Sequence, residues 1–119
     1  MKDFRELKVW EKAHQLVLSI YPATAEYPRS EEYGIKSQIR RSAVSVPANI
    51  AEGCAFDSDS MFARHCKIAL GSASELEYLT LLSRDLKFLK DETYTEPNHT
   101  IVEVKRMLTG LIKKLKADS

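Results

Sequence analysis

Apolar residues recur at steps of three and four along most of the chain, which is the spacing of one buried face of an α-helix. Four such segments follow one another, and no competing stretch shows the strict alternation of a half-buried strand. In the second segment the apolar stripe consists of Ile35, Ile39, Ala43, Val46 and Ile50. The pattern predicts an all-α protein, and the short connections favour an antiparallel up-and-down four-helix bundle.

Proline and glycine positions bound the first two predicted helices. We expect helices over about 5–27 and 32–53, the second ended by Gly53. Pro22 and Pro47 fall inside these ranges, and each is expected to kink its helix because it removes one backbone hydrogen bond. For Pro47 the alternative is a break into two short helices.

The last two helices begin near polar or charged turns. The run 57–60 is rich in capping side chains, and the third helix is expected to continue from it to about Leu89. The fourth helix is expected to open between Tyr94 and Asn98, because a proline such as Pro97 is tolerated in a first turn.

The second helix carries few bulky side chains outside its apolar stripe. A polar line on another side of the helix consists of Arg41, Ser45, Asn49 and Glu52. The sector between the two is mostly small or apolar and consists of Ser37, Arg40, Val44, Ala48 and Ala51. Another helix can approach such a surface closely. We therefore predict a second buried face, with the polar line as an oligomer interface or buried polar line.

Three sequence motifs carry a resemblance to a known family. The run SQIRRSAVSVPANIAEG at 37–53, with LKVWEKA at 7–13 before it and IALGSASELE at 68–77 after it, closely resembles the four-helix bundle proteins encoded in intervening sequences of bacterial 23S ribosomal RNA. Relatives include the accessory variability protein of diversity-generating retroelements, a pentameric barrel that works with a reverse transcriptase and RNA. The resemblance implies a homo-oligomer, and a pentamer in particular.

Composition and charge narrow the possible roles. The 119 residues fit a single domain over 1–119, and 44% hydrophobic with 29% charged residues is ordinary for a globular protein. The charged start of the chain lacks a signal peptide, and no apolar run is long enough to span a bilayer, so we expect a cytoplasmic protein without a membrane partner. A net charge of +1 argues against a dedicated nucleic-acid binder unless the basic residues cluster on one surface.

No nucleophile and base stand out as a pair. The histidines His14, His65 and His99 fall on three different predicted helices. Neighbours such as His65 and Cys66 point about 100° apart on a helix, so His65 is expected to be a surface histidine. Cys54 and Cys66 form no Cys-x-x-Cys pair and are expected to be reduced, apolar thiols. We therefore predict no enzymatic activity and no cofactor, and we identify no small-molecule substrate.

Glu-x-x-His spacings, which build metal centres in some bundles, occur twice. They are Glu11 with His14 and Glu96 with His99. In an antiparallel bundle these pairs lie on the order of 20 Å apart along the axis. They cannot share a metal centre, and no metal site is predicted.

Carboxylates in the middle of the third helix require partners. Glu75 and Glu77 lie among apolar residues, and an unpaired buried charge costs several kcal/mol. The guanidinium groups of Arg40 and Arg41 are the expected partners. We interpret these pairs as structural.

The same arginines are candidates for phosphate binding. The possible nucleic-acid-binding residues are Lys36, Arg40, Arg41, Arg64 and Lys67, with the C-terminal lysines as a second set. No aromatic-rich stacking motif accompanies them in the sequence. The leading hypothesis is a non-enzymatic homo-oligomeric assembly or scaffold protein. The alternative is a nucleic-acid-binding accessory protein that acts on RNA or DNA with an enzyme such as a reverse transcriptase.

Overall fold

Four long helices account for most of the chain in the computed structural model, which describes residues 2–118. The helices are α1 (Lys8–Thr24), α2 (Ile35–Cys54), α3 (Asp59–Asp85) and α4 (Asp91–Asp118). Two short 3-10 helices, Phe4–Glu6 and Arg29–Glu31, precede α1 and α2. No strand occurs between residues 2 and 118, and the all-α prediction is confirmed.

Each helix packs against two neighbours, in the cyclic order α1, α2, α3, α4. Buried residues from the start of α1, the end of α2, the start of α3 and the end of α4 form a first core cluster, which includes Ala13, Ile50, Phe62, Ala69 and Leu108. The opposite helix ends form a second cluster, which includes Leu16, Ile39, Leu76 and Ile101. This alternation shows an antiparallel up-and-down bundle, as predicted, with extents of 46 × 22 × 20 Å.

Two buried hydroxyl groups meet at the second cluster. Tyr27 belongs to this cluster and closes it from the loop after α1. The Ser83 side chain of α3 is also buried. Burial raises the pKa of Tyr27, and the interaction of its hydroxyl with the Ser83 side chain opposes part of that rise.

α1 is shorter than the sequence predicted. It begins at Lys8, because the residues before it form the 3-10 helix capped by the Asp3 carboxylate. It ends at Thr24 and does not reach Tyr27. Tyr27 precedes Pro28, whose ring disfavours helical backbone angles in the preceding residue, and this limits how far the helix can extend.

α2 continues through Pro47 as one helix, so the alternative of two short helices is wrong. It begins at Ile35, later than expected, because Gly34 has a non-helical backbone. Gly53 lies within the last turn and does not end the helix. A Cβ atom at Gly53 would come within 2.8 Å of the His65 Cβ, so this glycine permits close packing of α2 on α3.

The turn between α3 and α4 also differs from the prediction. The helix α3 is capped by Ser58 and ends at Asp85, four residues before Leu89. The chain leaves the helix because Lys87 adopts a positive φ of 69°, and the Phe88 N–H then donates to the Ser83 carbonyl at 2.9 Å.

α4 opens earlier than the sequence predicted. It begins at Asp91, so Pro97 lies in the second turn and not in the first. The missing N–H of Pro97 removes one helical hydrogen bond. Burial of the proline ring in the bundle offsets part of that cost.

Candidate functional site

One side of α2 is left without a neighbouring helix. The apolar stripe predicted for this helix is fully buried, which turns the small residues toward solvent. We define the α2 outer face as Ser37, Arg41, Val44, Ala48, Ala51 and Glu52. Val44 is 41% exposed, and Arg41, Ala48 and Glu52 are also exposed. The outer face is therefore a small apolar surface with a cation near one end and an anion near the other.

The predicted polar line divides into two parts. Ser45 and Asn49 are half-buried against α3, where the Ser45 and Ser72 hydroxyl oxygens lie 2.7 Å apart. The Asn49 side-chain amide donates to the Ser45 carbonyl at 2.8 Å. These two residues are thus covered by their own chain. Arg41 and Glu52 are exposed in the single chain, and their place in an interface stays a prediction.

Three of the basic candidates meet in a groove at one end of α2. The groove has a volume of about 450 Å³ and is lined by Tyr21, Glu32, Tyr33, Lys36, Ser37, Arg40, Arg41 and Val44. We call it the tyrosine groove. Its walls combine cations with aromatic rings, which is the combination that binds phosphates and stacks bases in single-strand binders.

The three cations of the tyrosine groove differ in how firmly they are held. Arg40 donates to the Thr24 hydroxyl and to the Tyr21 carbonyl, both at 3.0 Å, and its guanidinium lies 4.3 Å from the centre of the Tyr21 ring. Lys36 pairs with Glu32 at 3.0 Å. Arg41 makes no ion pair with any residue in 2–118. Arg41 is therefore the cation best able to meet an external anion.

Sequence reasoning missed the two tyrosines of this groove. Tyr33 is 96% exposed and Tyr21 is 42% exposed. Tyr33 lies in the polar turn before α2, and Tyr21 lies off the core stripe of α1. An aromatic residue in a polar turn was the available signal, but only the fold places it beside the cations of α2.

Arg64 and Lys67 lie apart from the other candidates. The contact between Ser45 and Ser72 fixes the antiparallel register of α2 and α3, and this register places Lys67 level with Ile50. The level of Lys36 is about 20 Å away along the axis. The five predicted nucleic-acid-binding residues therefore form two separate groups.

The predicted pairing of Glu77 with an arginine of α2 is wrong. Glu77 faces α4 and accepts a hydrogen bond from the Lys105 ammonium at 2.7 Å. Glu77 lies about 140° around α3 from Ser72, the residue whose hydroxyl contacts Ser45 of α2. Glu75 is exposed and lines a cavity together with Arg41, but no ion pair joins these two residues.

The two thiols are poorly suited to nucleophilic chemistry. Cys54 and Cys66 are free and buried in the first core cluster. Burial raises the pKa of Cys54. Burial is also the larger of the two causes that raise the pKa of Cys66 to about 11, and the nearby Cys54 is the smaller. The thiolate is the reactive form, so both groups remain protonated and unreactive near neutral pH.

His65 is half-buried, so the prediction of a surface histidine holds only in part. Its ring stacks on Phe56 with centroids 5.6 Å apart, and its Nδ1 is buried without a hydrogen-bond partner. Close packing on Gly53 holds it there. Across residues 2–118, no three histidine, cysteine or carboxylate side chains are grouped so as to hold a metal ion.

None of the helices described above combines the length and apolar character needed to cross a bilayer.

The comparisons with known proteins agree with the observed fold. Residues 5–110 match the model of a family described as 23S rRNA-intervening sequence protein. The chain belongs to the 23S rRNA-intervening sequence protein family.

A solved structure supports the fold of this 23S rRNA-intervening sequence protein. It is the crystal structure of a protein with unknown function from the S23 ribosomal protein family of Bacteroides thetaiotaomicron. The two are 29% identical, with a TM-score of 0.80 over 88% of this chain and 98% of that chain. No curated protein sequence matches the chain.

Proposed function

We propose that the protein is a non-enzymatic homo-oligomeric assembly or scaffold protein, in which the α2 outer face packs against neighbouring copies. The observation that carries this proposal is the exposure of Val44 and Ala48 at the centre of that face. Ile68 of α3 lies level with Asn49 and is 45% exposed, so the apolar surface extends onto the next helix. Burial of such a surface releases about 25 cal/mol per Å².

The charges of the α2 outer face favour a second copy as the partner. Arg41 and Glu52 lie eleven residues apart, which is about 16 Å along the helix. Every subunit presents both charges, so each copy can supply the counter-ion that its neighbour requires. The small residues between them allow two helices to approach closely. Self-association would therefore bury the apolar centre of this face and pair the charges at its two ends.

The proposed stoichiometry is five, and the proposed location is the cytoplasm. The number rests on the resemblance to proteins that form pentameric barrels. The location is supported by the two buried thiols, which a reducing compartment keeps free.

Light scattering on a sizing column tests the proposed assembly. We expect a mass near five times the 13.5 kDa of one chain at micromolar protein. A stable oligomer of another number would overturn the stoichiometry alone. A monomer mass would overturn the assembly function.

A second candidate function, a nucleic-acid-binding accessory protein, is favoured by the tyrosine groove. Tyr33 is almost fully exposed beside Arg41, so a base could stack on the ring while its phosphate meets the guanidinium. The groove shares Ser37, Arg41 and Val44 with the α2 outer face, so this function requires that the copies do not associate through that face. Here the candidate ligand is single-stranded RNA or DNA.

Replacing Tyr33 is expected to weaken the binding of single-stranded RNA. Loss of one stacked base costs about 1–3 kcal/mol, so Tyr33→Ala should raise the Kd by roughly 5- to 150-fold. The matched control is Tyr78→Ala, because Tyr78 is also exposed but lies on α3 outside the groove. Fluorescence anisotropy with a labelled RNA measures both.

Salt provides a second readout for this candidate. Phosphate contacts release counterions, so the affinity should fall steeply between about 50 and 200 mM salt. Absence of a complex at low salt up to tens of micromolar protein, against a usual non-specific Kd of about 1–100 micromolar, would exclude this function. Equal weakening by Tyr33→Ala and Tyr78→Ala would exclude the groove as its site.

A further inference from the structure

A second basic groove lies on the opposite side of the bundle, between α3 and α4. Its volume is about 430 Å³, and it is lined by Glu77, Val102, Lys105, Arg106, Thr109, Gly110 and Lys113. We call it the α3–α4 groove. It shares no lining residue with the tyrosine groove or with the α2 outer face. Neither the assembly function nor single-strand binding requires it.

Two cations of the α3–α4 groove have no counter-ion. Lys105 and Glu77 neutralise each other across the groove at 2.7 Å. Arg106 and Lys113 are exposed and form no ion pair with any residue between 2 and 118. With three cations and one carboxylate among the lining residues, the groove carries a net charge of +2. The surplus positive charge comes from Arg106 and Lys113.

The spacing of these two cations suits a ligand with more than one anionic group. Arg106 and Lys113 are seven residues apart, so they lie on one side of α4, about 10 Å from each other along its axis. Gly110 lies between them, and a Cβ atom there would meet nothing within 4 Å. The glycine therefore leaves space through which a ligand can approach the helix backbone.

We propose that the α3–α4 groove binds phosphate groups, with Arg106 and Lys113 as the two anchoring residues. Arginine offers a planar pair of donors to phosphate oxygens, and lysine adds a mobile ammonium. The Lys105 ammonium forms the wall and screens the Glu77 carboxylate from the ligand. The ligand is either a free polyphosphate or the phosphate backbone of a nucleic acid.

Titration calorimetry with inorganic tripolyphosphate, and separately with a short RNA duplex, tests this site on the full-length protein. Arg106→Gln combined with Lys113→Gln should weaken binding by at least about tenfold, because charge-assisted hydrogen bonds are lost. Glu77→Gln should strengthen binding by roughly threefold or more, because it removes the one carboxylate of the groove and frees Lys105.

The control variant is Lys90→Gln, which removes one positive charge in the exposed turn before α4. It should leave the affinity unchanged, and thermal melts of all variants show whether the fold is intact. Tripolyphosphate binding that the double variant abolishes supports a free ligand, and duplex binding alone supports a nucleic-acid backbone. Binding of neither probe, or equal weakening by Lys90→Gln, overturns the proposal.

Tyr33→Ala distinguishes this site from the tyrosine groove. The variant should not change the affinity for tripolyphosphate, because Tyr33 lies outside the α3–α4 groove. A loss of tripolyphosphate binding in Tyr33→Ala would move the phosphate site to the other groove and contradict the assignment made here.

Discussion

Replacing Ala48 by arginine is expected to convert the proposed oligomer into monomers. Ala48 lies at the centre of the α2 outer face, where two helices can meet closely only because the side chains are small. The larger side chain overfills the contact at a cost of about 1–3 kcal/mol, and burial of its charge adds several kcal/mol more. The proposed ring would repeat this cost at every interface. Light scattering at micromolar concentration should give the mass of one chain.

Ala117→Arg is the matched control for this experiment. Ala117 is exposed near the end of α4, where a cation interacts favourably with the helix dipole. This variant should keep the mass of the wild-type oligomer. Circular dichroism should show the same helix content in both variants. A wild-type mass for Ala48→Arg would mean that the copies associate through another surface.

Replacing Gly53 by alanine is expected to destabilise the folded chain. The new methyl group would lie 2.8 Å from the His65 Cβ and 3.0 Å from a carbon of the Phe62 ring. Neither neighbour can move freely, since Phe62 is fully buried and the His65 atom is bonded directly to the α3 backbone. Alanine has the higher helix propensity by about 1 kcal/mol, but overpacking of this kind costs about 1–3 kcal/mol and is the larger effect.

Replacing Gly71 by alanine is the same chemical change, but it is expected to stabilise the folded chain. Gly71 lies within α3, and a Cβ atom there would meet nothing within 4 Å. Only the helix propensity changes, so the free energy of unfolding should rise by up to about 1 kcal/mol. Urea unfolding of the two variants measures the difference. Stabilisation by both substitutions would show that α2 and α3 can separate locally without cost.

The fold could be predicted from the sequence because helical periodicity is a local property. The apolar stripe from Ile35 to Ile50 fixed the buried face of α2, and all five of its residues are buried. The ends were less predictable. Gly53 has the residue type of a helix terminator, yet it serves close packing inside the last turn. The sequence pattern is the same for both roles.

The candidate site was less predictable because its contacts join distant parts of the chain. Arg40 is held by Thr24, sixteen residues earlier, and this contact leaves Arg41 as the cation available to a ligand. Glu77 pairs with Lys105 of α4, twenty-eight residues later, and not with a residue of α2. Residue types indicated that charges would be paired, but only the packing of the helices determined the pairs.

The two core clusters also differ in the kind of side chain that each end of the bundle buries. The second cluster consists mostly of leucine, isoleucine and tyrosine side chains, whereas the first includes four alanines. Opening at the end that holds the second cluster would expose these large apolar side chains, which opposes local unfolding there. The tyrosine groove is built on those same helix ends. A ligand that binds only the closed form therefore slows amide exchange there, and its affinity includes the free energy of keeping that end closed.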